Sequence, residues 1–153
     1  QELKIAGRLD MTFQVSIFLE NKLGRLEKTT AILREAGINI RSIHLNHTAS
    51  GWGILNLVVS NPERALERLT EGGMSAALRE IAVVRMADRP GGLDELLKSV
   101  VTAGVNFTNA HGRAASDGDS AFFVLDVQDI PGARKRLASV GLEILEDSEV
   151  YGE

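Results

Sequence analysis

The stretch from Thr12 to Glu20 (TFQVSIFLE) places Phe13, Val15, Ile17 and Leu19 at alternate positions. That period of two predicts a strand with one face buried. A turn containing Asn21 and Gly24 follows. RLEKTTAILREAG then changes period, with Leu26, Ile32, Leu33 and Ala36 available to one side of a helix. Gly37 stands where a helix end favours a left-handed residue. INIRSIHLNHT reads as a second strand, ASGWG as a hairpin turn and ILNLVVS as a third strand. NPERALERLTEGG reads as a helix with Asn61 as N-cap and Pro62 in its first position.

The same succession returns. EIAVVRM is a strand, and the helix after it carries Leu93, Leu96, Leu97, Val100 and Val101, an apolar stripe at i, i+3, i+4, i+7 and i+8. VNFTNAHGRA and SAFFVLDV are strands around SDGD. IPGARKRLASVG is a helix, and LEILEDSEVY is expected to close the second half as a strand. Between the halves, Met74 to about Arg79 is expected to end the first unit and Ile81 to Met86 to open the second, in one long, kinked strand.

Two segments make the repetition explicit: NKLGRLEKTTAILREAGINI from Asn21 and DRPGGLDELLKSVVTAGVNF from Asp88 lie 67 positions apart. At that offset Gly24 meets Gly91, Leu26 meets Leu93, Gly37 meets Gly104, Asn39 meets Asn106, His44 meets His111 and Gly51 meets Gly118. A one-residue shift later aligns Arg68-Leu69 with Arg136-Leu137 and Gly73 with Gly141. Each half is therefore one copy of a small α+β fold of order strand, helix, strand, strand, helix, strand. That is the ferredoxin-like βαββαβ unit, two helices on one face of an antiparallel sheet. The units are expected at 1–78 and 79–153, packed as a tandem pair.

Composition removes several alternatives. With 44% apolar residues the 153-residue chain can fill two small cores, and with 5% aromatics those cores are aliphatic. The net charge of −4 and the absence of a basic run argue against nucleic acid as a partner. Cysteine is absent, which removes disulfides and thiolate chemistry. No apolar run approaches the roughly 18 residues of a membrane span. QELKIAGRLD has no leader pattern, so a cytoplasmic protein is expected, with no membrane partner.

Candidate chemistry is sparse. Phosphate-loop, HExxH and GxSxG patterns are missing; no catalytic residue, metal or cofactor is expected. His44 and His47 would point to opposite faces of a strand, which disfavours a metal site. His44 and His111 are equivalent in the repeat and either line a pocket or sit on the sheet surface. Asp117 and Asp119 flank Gly118 without the spacing of a calcium loop. Trp52, in its glycine-flanked hairpin, is either a packing residue or a partner contact.

The turns before the first helix of each half are the best candidate. A helix start leaves N–H groups unpaired and carries partial positive charge. Gly24 and Gly91 allow close backbone approach. Asn21 or Asp88 either caps the turn or accepts from a ligand ammonium. The spot suits a zwitterion, and it equally suits a helix start that needs these residues for geometry alone.

Asn/Asp-x-x-Gly-x-Leu, a helix, then Ala-Gly-Ile/Val-Asn-Ile/Phe, present twice, resembles the ACT domain. The resemblance runs from about Thr12 to Tyr151 and is similar to stand-alone tandem ACT proteins of bacteria. It implies regulatory binding of small molecules, mostly amino acids, at interfaces between ACT units. Carried onto this chain it implies one set of ligand-binding residues, Asn21, Lys22, Leu23, Gly24, Arg25 and Leu26 with Asn39 and Ile40. The second set is Asp88, Arg89, Pro90, Gly91, Gly92 and Leu93 with Asn106 and Phe107. Leu23 stands where the second copy has Pro90, which leaves the first turn less fixed in φ. The resemblance implies a homodimer, since bare edge strands invite pairing, and a non-catalytic protein that signals to a partner enzyme or regulator. A regulatory subunit of an amino-acid biosynthetic enzyme, like the small subunit of acetolactate synthase, is the alternative.

Overall fold

A computed structural model describes residues 11–152 of the chain. The elements run β1 (Thr12–Glu20), α1 (Arg25–Glu35), β2 (Ile40–His47), β3 (Trp52–Val59), α2 (Pro62–Glu71), β4 (Ser75–Ala87), α3 (Gly92–Ala103), β5 (Asn109–Ala114), β6 (Ser120–Asp126), α4 (Ile130–Ser139) and α5 (Asp147–Tyr151). Two compact units result. One holds Phe13–Arg79 with Tyr151 and Gly152; the other holds Glu80–Val150 with Met11 and Thr12. No helix among the described residues is long and apolar enough to cross a membrane.

In the first unit the strand order is β2-β3-β1-β4. Antiparallel register pairs Ile17 with Leu55 and Leu19 with Gly53 on β1 and β3, and Leu45 with Leu55 and Ile43 with Leu57 on β2 and β3. Paired residues share a face, so Val15, Ile17, Leu19, Leu55, Leu57 and Val59 build one wall of the core. Leu33 from α1 and Ala65 and Leu69 from α2 fill it. Nearly all of these are fully buried, and each large aliphatic withdrawn from water contributes about 1.5–3 kcal/mol.

The second unit repeats the plan with β4-β6-β5. Ala82 and Val84 face Leu125 and Phe123 across the β4–β6 ladder. Leu96 and Val100 from α3 and Ala133 and Leu137 from α4 close over them. β4 serves both units as a single strand. Its burial alternates over Ser75–Glu80 and becomes continuous over Ile81–Val84. The first stretch is the edge of its unit's strand order, and the second is flanked on one side by β6 and on the other by Glu143–Leu145.

One element differs from the sequence reading. LEILEDSEVY does not form a full closing strand. A single bridge joins Val84 and Ile144, supported by Arg85 N–H donating to the Glu143 carbonyl at 3.0 Å and Leu145 N–H donating to that of Val83 at 2.8 Å. The chain then turns into α5, where the Asp147 carboxylate accepts from the Ser148 N–H at 2.8 Å. Acidic residues disfavour strands and suit a helix start, and Glu146, Asp147 and Glu149 impose that preference against the local alternation.

Candidate functional site

The turn after β1 is built by four backbone bonds, of which Lys22 N–H to the Glu20 carbonyl (2.9 Å) is found in this repeat alone among the described residues. Asn21 N–H donates to the Gly51 carbonyl (2.8 Å), Arg25 N–H to Lys22 (3.2 Å) and Lys28 N–H to Gly24 (3.0 Å). The turn after the corresponding part of β4 has the same three: Asp88 N–H to Asp119 (3.1 Å), Gly92 N–H to Arg89 (2.9 Å) and Glu95 N–H to Gly91 (3.0 Å). Gly24 and Gly91 both occupy the N-cap in the left-handed region, at φ 84° and 85°. A Cβ on either would meet nothing within 4 Å, so backbone conformation, not space, demands glycine.

These two helix starts carry no side-chain cap. Asn21 and Asp88 are exposed, and neither side chain makes a hydrogen bond among the described residues. The capping role open to them in the sequence is not what they do. The N–H groups of Leu26 and Glu27 in one turn, and of Leu93 and Asp94 in the other, likewise have no acceptor among the described residues. The second helix of each repeat behaves differently. Asn61 Oδ1 accepts from Arg64 N–H at 3.1 Å, and Asp129 Oδ1 from Gly132 N–H at 3.1 Å. A side-chain cap is thus present at α2 and α4 and absent at α1 and α3, in both copies.

Charge at the turns differs between repeats. Glu20 receives Lys22 Nζ at 2.9 Å and Arg25 Nη2 at 3.5 Å. The Lys22 hydrogen bond, then the Lys22 and Arg25 charges, hold its carboxyl below the usual range. In the second turn Arg89 Nη2 reaches both Glu95 oxygens, at 3.0 and 2.8 Å. Leu23 projects fully into solvent, and Leu93 is half-exposed. Gly92 is buried, and a Cβ there would strike the Ala87 carbonyl oxygen. A cavity of about 220 Å³ beside this turn is lined by Met86, Ala87, Gly92, Glu95, Ser99 and Leu142 among others.

Asn39, Ile40, Asn106 and Phe107 lie elsewhere. Ile40 pairs with Val59, whereas the turn adjoins the Glu20–Trp52 pair at the far end of β3. Seven residues of strand separate them, roughly 23 Å. Asn39 N–H donates to Ser60 Oγ at 2.9 Å. Phe107 packs edge-on against Phe123, with centroids 6.2 Å apart. Within one repeat, a small ligand cannot touch both the turn and this segment. His44 pairs with Asn56 and His111 with Val124; both lie on the sheet face away from the helices, partly buried. Trp52 stacks on Phe18 at 4.7 Å and 5°.

The ACT domain pair matches residues 11–149. The chain belongs to this family. Among solved structures, a Bacteroides thetaiotaomicron protein is similar at 25% identity and a TM-score of 0.86, over 95% of this chain and 99% of that one. The regulatory subunit of aspartate kinase from Thermus thermophilus is similar at 20% identity and a TM-score of 0.62, and that from Thermus flavus at 22% and 0.56, each over 87% of this chain and 94% of the other chain. The two Thermus likenesses establish the fold. No curated protein matches. ACT domains are regulatory, and this chain carries two of them with the turns built alike.

Proposed function

We propose that this ACT pair is a non-catalytic regulatory protein that binds a free amino acid at its β–α turns and passes the signal to a partner. One observation carries the reading: the glycine-hinged helix starts are left uncapped in both repeats, while the other two helix starts are capped by Asn61 and Asp129. Unpaired N–H groups at the positive end of a helix favour a carboxylate. The Asn21 or Asp88 side chain accepts from the ammonium. Asn39–Ile40 or Asn106–Phe107 from another copy of the chain completes the contact, which makes the working form a homodimer.

Thermal unfolding of the full chain with each of the twenty amino acids at millimolar concentration tests this. A ligand at 100 times its Kd adds about 2.7 kcal/mol, a rise of several degrees for a chain of this size. One amino acid is expected to give that rise, and Asp88→Ala or Asn21→Ala to reduce it. A melting curve unmoved by all twenty would sink the proposal.

A second reading, a regulatory subunit of an amino-acid biosynthetic enzyme, is favoured by the half-exposed row Phe18, Trp52 and Ile54 (52, 39 and 48%). Large exposed apolar residues grouped together mark contact surfaces. Light scattering separates the two readings. A stable dimer that dissociates on Phe18→Arg has its row covered by its own copy; a monomer that gains a heteromeric partner supports the second.

A further inference from the structure

A cavity of the Glu80–Val150 unit shares no residue with either turn. It has a volume of about 490 Å³, within the range of small-molecule sites, and runs between α4 and the segment that follows it. Met11, Pro131, Ala138, Ile144 and Leu145 give it apolar walls, and Arg134, Lys135, Glu80 and Glu146 give it charges of both signs. Arg134 is anchored: its Nη2 donates to Thr12 Oγ1 at 3.1 Å, and Thr12 is fully buried. Its Nε–H is buried with no acceptor. No carboxylate pairs with this guanidinium among the described residues, although two line the same cavity. A held arginine with unmet donors and an unneutralised charge is suited to bidentate recognition of a carboxylate.

We infer that this cavity is a second ligand site, independent of the turns, for a small α-amino acid with an aliphatic or thioether side chain. The ligand carboxylate meets Arg134, with Lys135 adding charge. The ammonium meets Glu80 or Glu146. The side chain lies against Met11, Ala138, Ile144 and Leu145, where apolar burial adds affinity without direction. An amino acid with a charged side chain would have to desolvate that charge against the apolar wall.

Calorimetric titration of the full chain with L-leucine and L-methionine tests the site, with isopentylamine as the probe lacking a carboxylate. Binding of at least one amino acid, and none of the amine, is expected. Loss of charged hydrogen bonds in Arg134→Gln should raise Kd roughly ten- to a hundredfold. Ala138→Phe, at an exposed helix position, fills the cavity from its rim and should abolish binding while the melting temperature stays within a few degrees. Asp88→Ala and Asn21→Ala should leave this Kd unchanged. Binding that survives both Arg134→Gln and Ala138→Phe overturns the site. So does binding lost in Asp88→Ala but kept in Arg134→Gln, an outcome that leaves the turn proposal standing. Failure of both amino acids to bind also overturns it.

Discussion

The outer sheet faces of the two repeats can be compared position by position. In the first, Phe18, Ile54 and Asn46 stand side by side across β1, β3 and β2. In the second, Arg85, Phe122 and Arg113 take the same places across β4, β6 and β5. Ile54 is 48% exposed; Phe122 is 8% exposed. The difference lies in what covers them. The Arg85 and Arg113 guanidinium groups lie 5.2 and 4.7 Å from the Phe122 ring centroid. Each is also tied to α5, Arg85 Nη2 to Glu149 at 2.7 Å and Arg113 Nη2 to the Val150 carbonyl at 2.9 Å. Duplication preserved the backbone, and the outward residues diverged: one face is sealed by cations and α5, the other presents a stacked aromatic pair.

The largest expected effect concerns a position where the two copies tolerate different side chains. Gly92 corresponds to Arg25. Gly92→Ala drives a methyl into the Ala87 carbonyl, and backbone cannot yield as a side-chain tip can; a loss of about 2–3 kcal/mol is expected. Arg25→Ala loses a partly exposed pair to Glu20 and costs about 0.5 kcal/mol. Urea midpoints of the two variants should therefore differ widely. Equal shifts would mean that the second turn adjusts its path and that the close approach is not a constraint.

Next in size is Arg85, which gathers Asp117, Glu143 and Glu149 within 4 Å and covers Phe122. Arg85→Ala is expected to cost about 1–2 kcal/mol by urea unfolding, from the cation–π contact and the network together. It should also speed proteolysis in the Glu143–Tyr151 segment that Arg85 ties down. Phe18→Ala, in the matching place, removes one stacked contact and should cost about 1 kcal/mol. A smaller loss at Arg85 than at Phe18 would reverse the contrast between a sealed and an open face.

The turns themselves give a subtler pair. Leu23 N–H has no acceptor among the described residues, and its counterpart is Pro90. Leu23→Pro should stabilise the first repeat by about 0.4–1 kcal/mol through the unfolded chain, and Pro90→Leu should destabilise the second by a similar amount. If Leu23→Pro lowers the melting temperature instead, the two turns differ in φ despite the three hydrogen bonds they share.

Much of this was readable from the residues. Alternation at Phe13 to Leu19 reports which face is buried, because strand and helix periods differ; of the helical stripe from Leu93 to Val101, Leu96 and Val100 are buried while Leu93 and Val101 at its ends are exposed. Glycines at 24, 37, 91 and 104 repeat because each sits at positive φ, a requirement that acts on one residue at a time. What the residues did not decide concerns competition between levels. Ile144 carries the strand signal, but the acidic residues after it win the helix start. Asn21 and Asp88 look like caps because their type allows it, and only the path of the turn decides that Gly24 and Gly91 take the cap. The segments Asn39–Ile40 and Asn106–Phe107 share a motif with the turns, yet sequence proximity hides their placement at the opposite sheet end. Arg134 gave no signal at all, since a lone arginine on a helix resembles any solvated one until Thr12 and the cavity walls are in place.

The smallest expected effect separates the two hairpins. Asp117 accepts from the Ser120 hydroxyl at 2.7 Å and from the Asp119 and Ser120 N–H groups at 2.9 Å each. Those bonds, in that order, and then the charge of Arg85, hold its carboxyl below the ordinary range, with burial opposing them. A depressed carboxyl favours the folded state above the unfolded-state pKa, and that contribution fades as pH falls through the folded value. Ser50 occupies the matching place in the first hairpin, where it hydrogen-bonds Thr48 Oγ1 at 2.6 Å and has no carboxyl to protonate. Asp117→Asn should therefore lower the melting temperature slightly at neutral pH and converge on the natural chain in the acid limb, whereas Ser50→Ala should shift the whole profile evenly. Parallel acid limbs for Asp117→Asn and the natural chain would show that the hairpin's hydrogen bonds are kept by the amide, and that charge at Asp117 does not distinguish the repeats.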